Sequence, residues 1–114
     1  MTTLTTSQIT RIAKLQLAAM GFYCWRHNQV AVRGRKFVGE PGCSDILGYH
    51  RKTGQFLACE VKGPGDSLSD DQEEFLLKVA DAGGKAVVAC EGDGGNAELV
   101  EIRKYLEINK RKIK

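Results

Sequence analysis

Asp45 and, fifteen positions later, Glu60 with Lys62 are the side chains in this 114-residue chain best suited to act together on a substrate. The second pair falls in the run Phe56-Leu57-Ala58-Cys59-Glu60-Val61-Lys62. In an extended strand, side chains alternate between faces, so Glu60 and Lys62 share one face while Leu57, Cys59 and Val61 point to the other. Charges beside an apolar core are costly to desolvate unless something compensates them. A divalent cation held by two carboxylates, with an ammonium beside it, would do so, and that is a hydrolytic arrangement. The plainer alternative is that Asp45 is a turn residue opening a strand and that Glu60 and Lys62 form an exposed pair. Such a pair contributes roughly 0–1 kcal/mol.

For these residues to meet, the intervening chain must fold back. Ser44-Asp45-Ile46-Leu47-Gly48-Tyr49 reads as a short strand, and His50 to Gln55, with Thr53-Gly54, as the turn of a hairpin into Phe56–Lys62. Upstream, Thr6 to Met20 has the period of an amphipathic helix, with Ile9, Ile12, Ala13, Gln16, Ala19 and Met20 near one face, and Gly21 ends it. Phe22 to Arg26 reads as extended. Downstream, Ser69-Asp70-Asp71-Gln72 matches a capping box that starts a helix, with Phe75, Leu76, Val79 and Ala80 as its core stripe. Lys85 to Cys90 is a buried strand reached by a helical crossover. Ala97 to about Leu106 is expected as a last helix, followed by a basic tail over residues 107–114. The expected architecture is α/β: a mixed central sheet flanked by helices, in the order α-β-β-β-α-β-α, within one domain spanning residues 1–114.

Charge is segregated along the chain. Residues 1–39 carry six basic residues (Arg11, Lys14, Arg26, Arg33, Arg35, Lys36) and no acid; residues 40–101 carry thirteen acids against five bases. Residues 103–114 are basic again, with six Lys/Arg against Glu107. Basic ends around an acidic centre suit a protein that grips phosphates around a metal-seeking site, though a solvated charged surface would look the same. Arg33, Arg35 and Lys36, with Gly34 between them, are the best phosphate contacts, joined by Arg26. Phe22 and Trp25 read as core residues, with a DNA-facing surface as the alternative. No apolar run reaches membrane-spanning length and the N-terminus lacks a secretory pattern, so a cytoplasmic protein is expected. The cysteines at 24, 43, 59 and 90 form no C-x-x-C pair, leaving zinc or disulfide roles minor.

Gly42-Cys43-Ser44-Asp45-Ile46-Leu47, then Phe56 to Lys62, then Asp66-Ser67-Leu68-Ser69 with Gln72 and Phe75-Leu76, and finally Gly83-Gly84, resemble the VRR-NUC family. These are virus-type replication and repair nucleases of the PD-(D/E)xK superfamily, including small stand-alone phage and bacterial members. The resemblance implies a restriction-endonuclease-like fold and divalent-metal-dependent DNA hydrolysis. For stand-alone members it also implies a homodimer acting on branched DNA such as four-way (Holliday) junctions. Asp45 then matches the metal-binding aspartate, Glu60 and Lys62 the E-x-K pair, and Gln72 the glutamine opening the next helix. The Val61 carbonyl becomes a further ligand of Mg²⁺ or Mn²⁺, and no organic cofactor is implied. The chain departs from the family where a first-helix glutamate is usual: it has Gln8 near that position and no acid before Glu40. Gln8 or Gln16 is the candidate neutral ligand in its place.

Three functions follow: a homodimeric structure-selective endonuclease, a non-catalytic DNA-binding or protein-interaction module on the same fold, and a restriction-type enzyme. No evident specificity region of adequate length supports the last.

Overall fold

The computed structural model describes residues 3–27 and 40–112, without the side chains of 110–112. Thr5 starts helix α1 (Thr6–Ala19) through a reciprocal cap: its hydroxyl accepts from the Gln8 amide, and the Gln8 carboxamide oxygen accepts from the Thr5 amide. The buried stripe is Ile9, Thr10, Ala13 and Leu17. Ala19 and Met20, expected on that face, are exposed instead, because the helix ends there and Gly21 (φ +98°) turns the chain away.

Among the described residues five strands form one sheet in sequence order: β1 (Phe22–Arg26), β2 (Ile46–His50), β3 (Phe56–Val61), β4 (Lys85–Glu91) and β5 (Ala97–Glu101). β1, β2 and β3 are antiparallel neighbours, β3 and β4 are parallel, and β4 and β5 are antiparallel. The parallel step requires a crossover, and α2 (Asp70–Asp81) supplies it, capped by Ser69 and Gln72 as the S-x-x-Q pattern predicts. α3 (Ile102–Lys112) closes the described chain.

α1 covers one face of the sheet, burying Ile9, Ala13 and Leu17 against Phe22, Ile46, Leu57, Cys59 and Val87. α2 and α3 cover the other, where Leu76 and Ile102 pack on Ala58, Ala86 and Val88. Leu57 through Val61 are therefore buried on both faces, since β3 is the central strand.

The segment after the Gly-rich turn differs from expectation. Ala97–Glu101 is a strand, so the order is α-β-β-β-α-β-β-α, and the last helix begins only at Ile102 and runs on to Lys112. Leu99, Ile102 and Leu106 recur at helical spacing, but pairing with β4 over Val87↔Glu101 to Glu91↔Ala97 satisfies the backbone and overrides that period.

Trp25 is also not core. Tyr23, Trp25, Tyr49 and Phe56 lie on the α2 side of β1 to β3, each more than a third exposed, beyond the reach of the helices. No helix among the described residues is long and apolar enough to cross a membrane.

The loop entering β2 is seated on the start of α2. A Cβ on Gly42 (φ +71°) would stand 2.1 Å from the Asp71 carbonyl oxygen, so only glycine fits there. Gly42→Ala is expected to lower stability by about 1–3 kcal/mol in urea denaturation, because the left-handed backbone and the clash both oppose it. An unchanged midpoint would show that the loop is not anchored on α2.

Candidate active site

Register brings the predicted carboxylates together. Ile46 pairs with Cys59 across the hairpin, so Asp45, one residue before β2, stands opposite Glu60. The Val61 amide donates to the Asp45 carboxylate at 3.0 Å, fixing the aspartate against the end of β3. On its other side the Asp45 carbonyl accepts from the His27 amide at 2.6 Å, which ties the end of β1 to the same point. The β3–β4 ladder continues one step further, with the Lys62 amide donating to the Ala89 carbonyl at 2.9 Å, so the lysine leaves a fixed backbone.

These residues line one pocket of about 280 Å³, formed by Thr6, Thr10, Arg26, Asp45, Glu60, Val61, Lys62 and Gln72. Asp45, Glu60, Val61, Lys62, Gln72 and Arg26, singled out from the sequence, thus meet in space. Gln8 does not join them: it is exposed, and its carboxamide oxygen is spent on the α1 cap. Gln16 lies at the other end of α1 and donates to the Ala97 carbonyl at 2.9 Å, bridging helix and β5. From α1 the pocket instead receives Thr6 and Thr10, with the Thr10 hydroxyl donating to the Thr6 carbonyl at 2.7 Å. Sequence reasoning passed over both threonines. Their signal is spacing: four apart on the first turns of α1, where its buried stripe begins. Arg33, Arg35 and Lys36 lie outside the described residues.

Glu60 is not part of an exposed pair. It is 2% exposed, and its Oε2 has no hydrogen-bond partner. Burial, a hydrogen bond with Asp45 and the aspartate's charge push its pKa from 4.5 up to about 9, opposed only by Lys62. A buried carboxyl with an orphaned oxygen, facing a second carboxylate, is the donor set that a hard divalent cation satisfies. The residues present therefore fit such an ion: Asp45 and Glu60 would hold it, with the Val61 carbonyl alongside. Among the described residues no group of three His, Cys, Asp or Glu side chains is placed to hold a metal. The protein's own contribution of charge thus comes from two carboxylates.

Comparison with known proteins bears on the family and the fold. The VRR-NUC domain model matches residues 22–93, more than half of the chain. Among solved structures, the fold is similar to that of Archaeoglobus fulgidus Hjc, a Holliday junction resolvase from an archaeal hyperthermophile. The TM-score is 0.58 at 24% identity, covering 85% of this chain and 77% of that one. No curated protein sequence matches significantly.

The raised pKa of Glu60 has a definite sign. Between about pH 4.5 and about pH 9 the folded, metal-free chain retains a proton that the unfolded chain has lost, so its stability falls as pH rises through that window. Glu60→Gln removes the titration. Its melting temperature should exceed that of metal-free wild type by a margin that widens from about pH 5 to about pH 9. Mg²⁺ or Mn²⁺ should stabilise wild type and leave the variant nearly unmoved. A margin that stays constant with pH would contradict the buried-carboxyl account.

Proposed function

This chain belongs to the VRR-NUC family, a nuclease family, and on that premise we propose that it is a divalent-metal-dependent endonuclease. It hydrolyses phosphodiester bonds of branched DNA, four-way junctions included, as a homodimer in the cytoplasm. The observation that carries the reading is the single pocket holding Asp45, Glu60, Val61 and Lys62, with Arg26 at its edge. The fold shared with an archaeal Holliday junction resolvase supports the choice of substrate. On this reading residues 1–114 act as one nuclease domain, with the basic residues of 107–114 near its C-terminal end.

Each residue then has a task. Asp45, oriented by the Val61 amide, and Glu60 would hold a divalent cation, with the Val61 carbonyl alongside. A bound Mg²⁺ or Mn²⁺ supplies Lewis-acid polarisation of the scissile phosphate and a lowered pKa for water. Lys62 orients the attacking water, whose proton passes to bulk solvent, and stabilises the negative charge that develops on the phosphate oxygens. Arg26 neutralises a phosphate at the pocket edge. Gln72, whose carboxamide oxygen is held by the Ser69 amide, presents its NH₂ to the substrate. In-line attack breaks the bond to the 3′ oxygen, leaving a 3′-hydroxyl and a 5′-phosphate.

On the last helix Ile102 is fully buried and Tyr105 and Leu106 pack in part on the second core, leaving Ile108 as its exposed large apolar side chain. The uncovered aromatic face of Trp25, Tyr49 and Phe56 offers the apolar surface for dimerisation, and a two-fold axis through it would present two identical pockets to paired strands.

One observation favours a second reading. Where α1 meets the pocket it brings Thr6 and Thr10 and no carboxylate, so metal affinity is weaker than three acids would give. A DNA-binding or protein-interaction module on the same fold, with little or no catalysis, would follow.

Labelled four-way junction, flap and duplex DNA incubated with the protein and Mg²⁺ or Mn²⁺ separate the two. Metal-dependent cleavage of the branched substrates is expected, lowered by on the order of 10²–10³ or more in Asp45→Asn and Lys62→Ala. Binding without cutting in both metals would establish the module instead. Light scattering should give twice the 12.5 kDa chain mass, reduced towards the monomer by Trp25→Ser.

A further inference from the structure

A second groove, of about 290 Å³, runs between α1 and β1, the edge strand among the described residues, outside the pocket just described. Its floor is apolar, with Leu15 (66% exposed), Ala18, Phe22, Tyr23 and Cys24; its charged lining is Arg11, Lys14 and Arg51, with no acid. Neither ion pair between side chains of the described residues involves these cations, and the first 39 residues of the chain contain no Asp or Glu to oppose them. Lys14 stands near enough to Cys24 to counter, in part, the rise that burial imposes on the thiol. Three unopposed cations over an apolar floor complement a polyanion that carries flat apolar groups.

Position adds to charge. β1 floors the groove with Phe22 to Cys24 and, at its other end, brings Arg26 to the catalytic pocket. Phe22 and Arg26 are four residues apart, roughly 13 Å along a strand. The connection from β2 into its turn supplies Arg51, whose amide donates to the Gly21 carbonyl at 2.9 Å, so the basic rim is tied to the end of α1.

We propose that the α1–β1 groove binds the DNA strand flanking the cut, with phosphates on Arg11, Lys14 and Arg51 and an unstacked nucleotide over the exposed Leu15 and Ala18 on the α1 side. This rests on the nuclease reading above and deepens it: the favoured substrate has unpaired or unstacked nucleotides next to the cleaved bond. Aromatic and apolar platforms beside cations are how single strands are held without sequence preference.

The test is the salt dependence of affinity for a four-way junction, measured by fluorescence anisotropy with Ca²⁺ replacing the catalytic ion, for wild type and for the triple variant Arg11→Ala, Lys14→Ala, Arg51→Ala. Losing three phosphate contacts should make the slope of log affinity against log salt shallower by about 2–3. Leu15→Ser alone should weaken binding of the junction more than of intact duplex. Equal melting temperatures for the variants and wild type, and retained stabilisation by Mn²⁺, establish that fold and catalytic pocket are intact. Wild-type binding with an unchanged slope in the triple variant overturns this inference alone. No DNA binding by wild type would overturn the nuclease reading, and this inference with it.

Discussion

The amide of Val61 reaches across the hairpin to the carboxylate of Asp45, and the site depends on that bond. It spends a backbone donor at the end of the central strand on a side chain from the strand beside it. It thereby holds Asp45 facing Glu60, whose retained proton lets the two carboxyl groups share a hydrogen bond in the metal-free chain. Glu60 in turn has no freedom to escape, because β3 is covered on both sides, by α1 and by α2 and α3. The outcome is a carboxyl group kept inside an apolar sheet at the cost of its ionisation. Stability alone would favour an amide or a methyl group there. Its Oε2 is left without a hydrogen-bond partner, so the pair carries an unspent acceptor into the pocket.

The remaining elements can be read as supports for that pair. The reciprocal caps on α1 and α2 put two helix starts at the same end of the sheet, each satisfying its own first amides before the pocket is formed between them. Gly42 lets the loop before Asp45 lie directly on the α2 backbone. The parallel β3–β4 step carries the ladder past Val61 to Lys62, which keeps the ammonium from swinging with a loose loop end.

Much of this is legible in the amino-acid sequence, for reasons particular to each element. The Asp45 and Phe56–Lys62 segments are separated by a turn of the right length for a hairpin, so their convergence follows from strand pairing alone. Ser69 to Gln72 spells out its cap. What was not legible lay in tertiary context. Ala97–Glu101 has a residue pattern that serves either a helix or a strand, and only an open neighbour at β4 decides it. Trp25 reads as core by residue type, yet it sits where the sheet outruns its covering helices, which depends on the relative lengths of distant elements. Gln8 has the composition of a ligand but sits at the third position of the helix that Thr5 caps, and the local cap claims it first.

One feature of the sheet edge bears on how such a nuclease can change its preferences over time. The connection between β1 and β2 leaves the sheet just after Arg26 and returns just before Asp45, and its departure is pinned by the His27 amide on the Asp45 carbonyl. Sheet register on either side is set by five residue pairs that do not involve the connection. Both ends of the connection are therefore fixed, by this bond and by Gly42 on the α2 backbone, and sequence change that spares these anchors leaves the reaction centre in place.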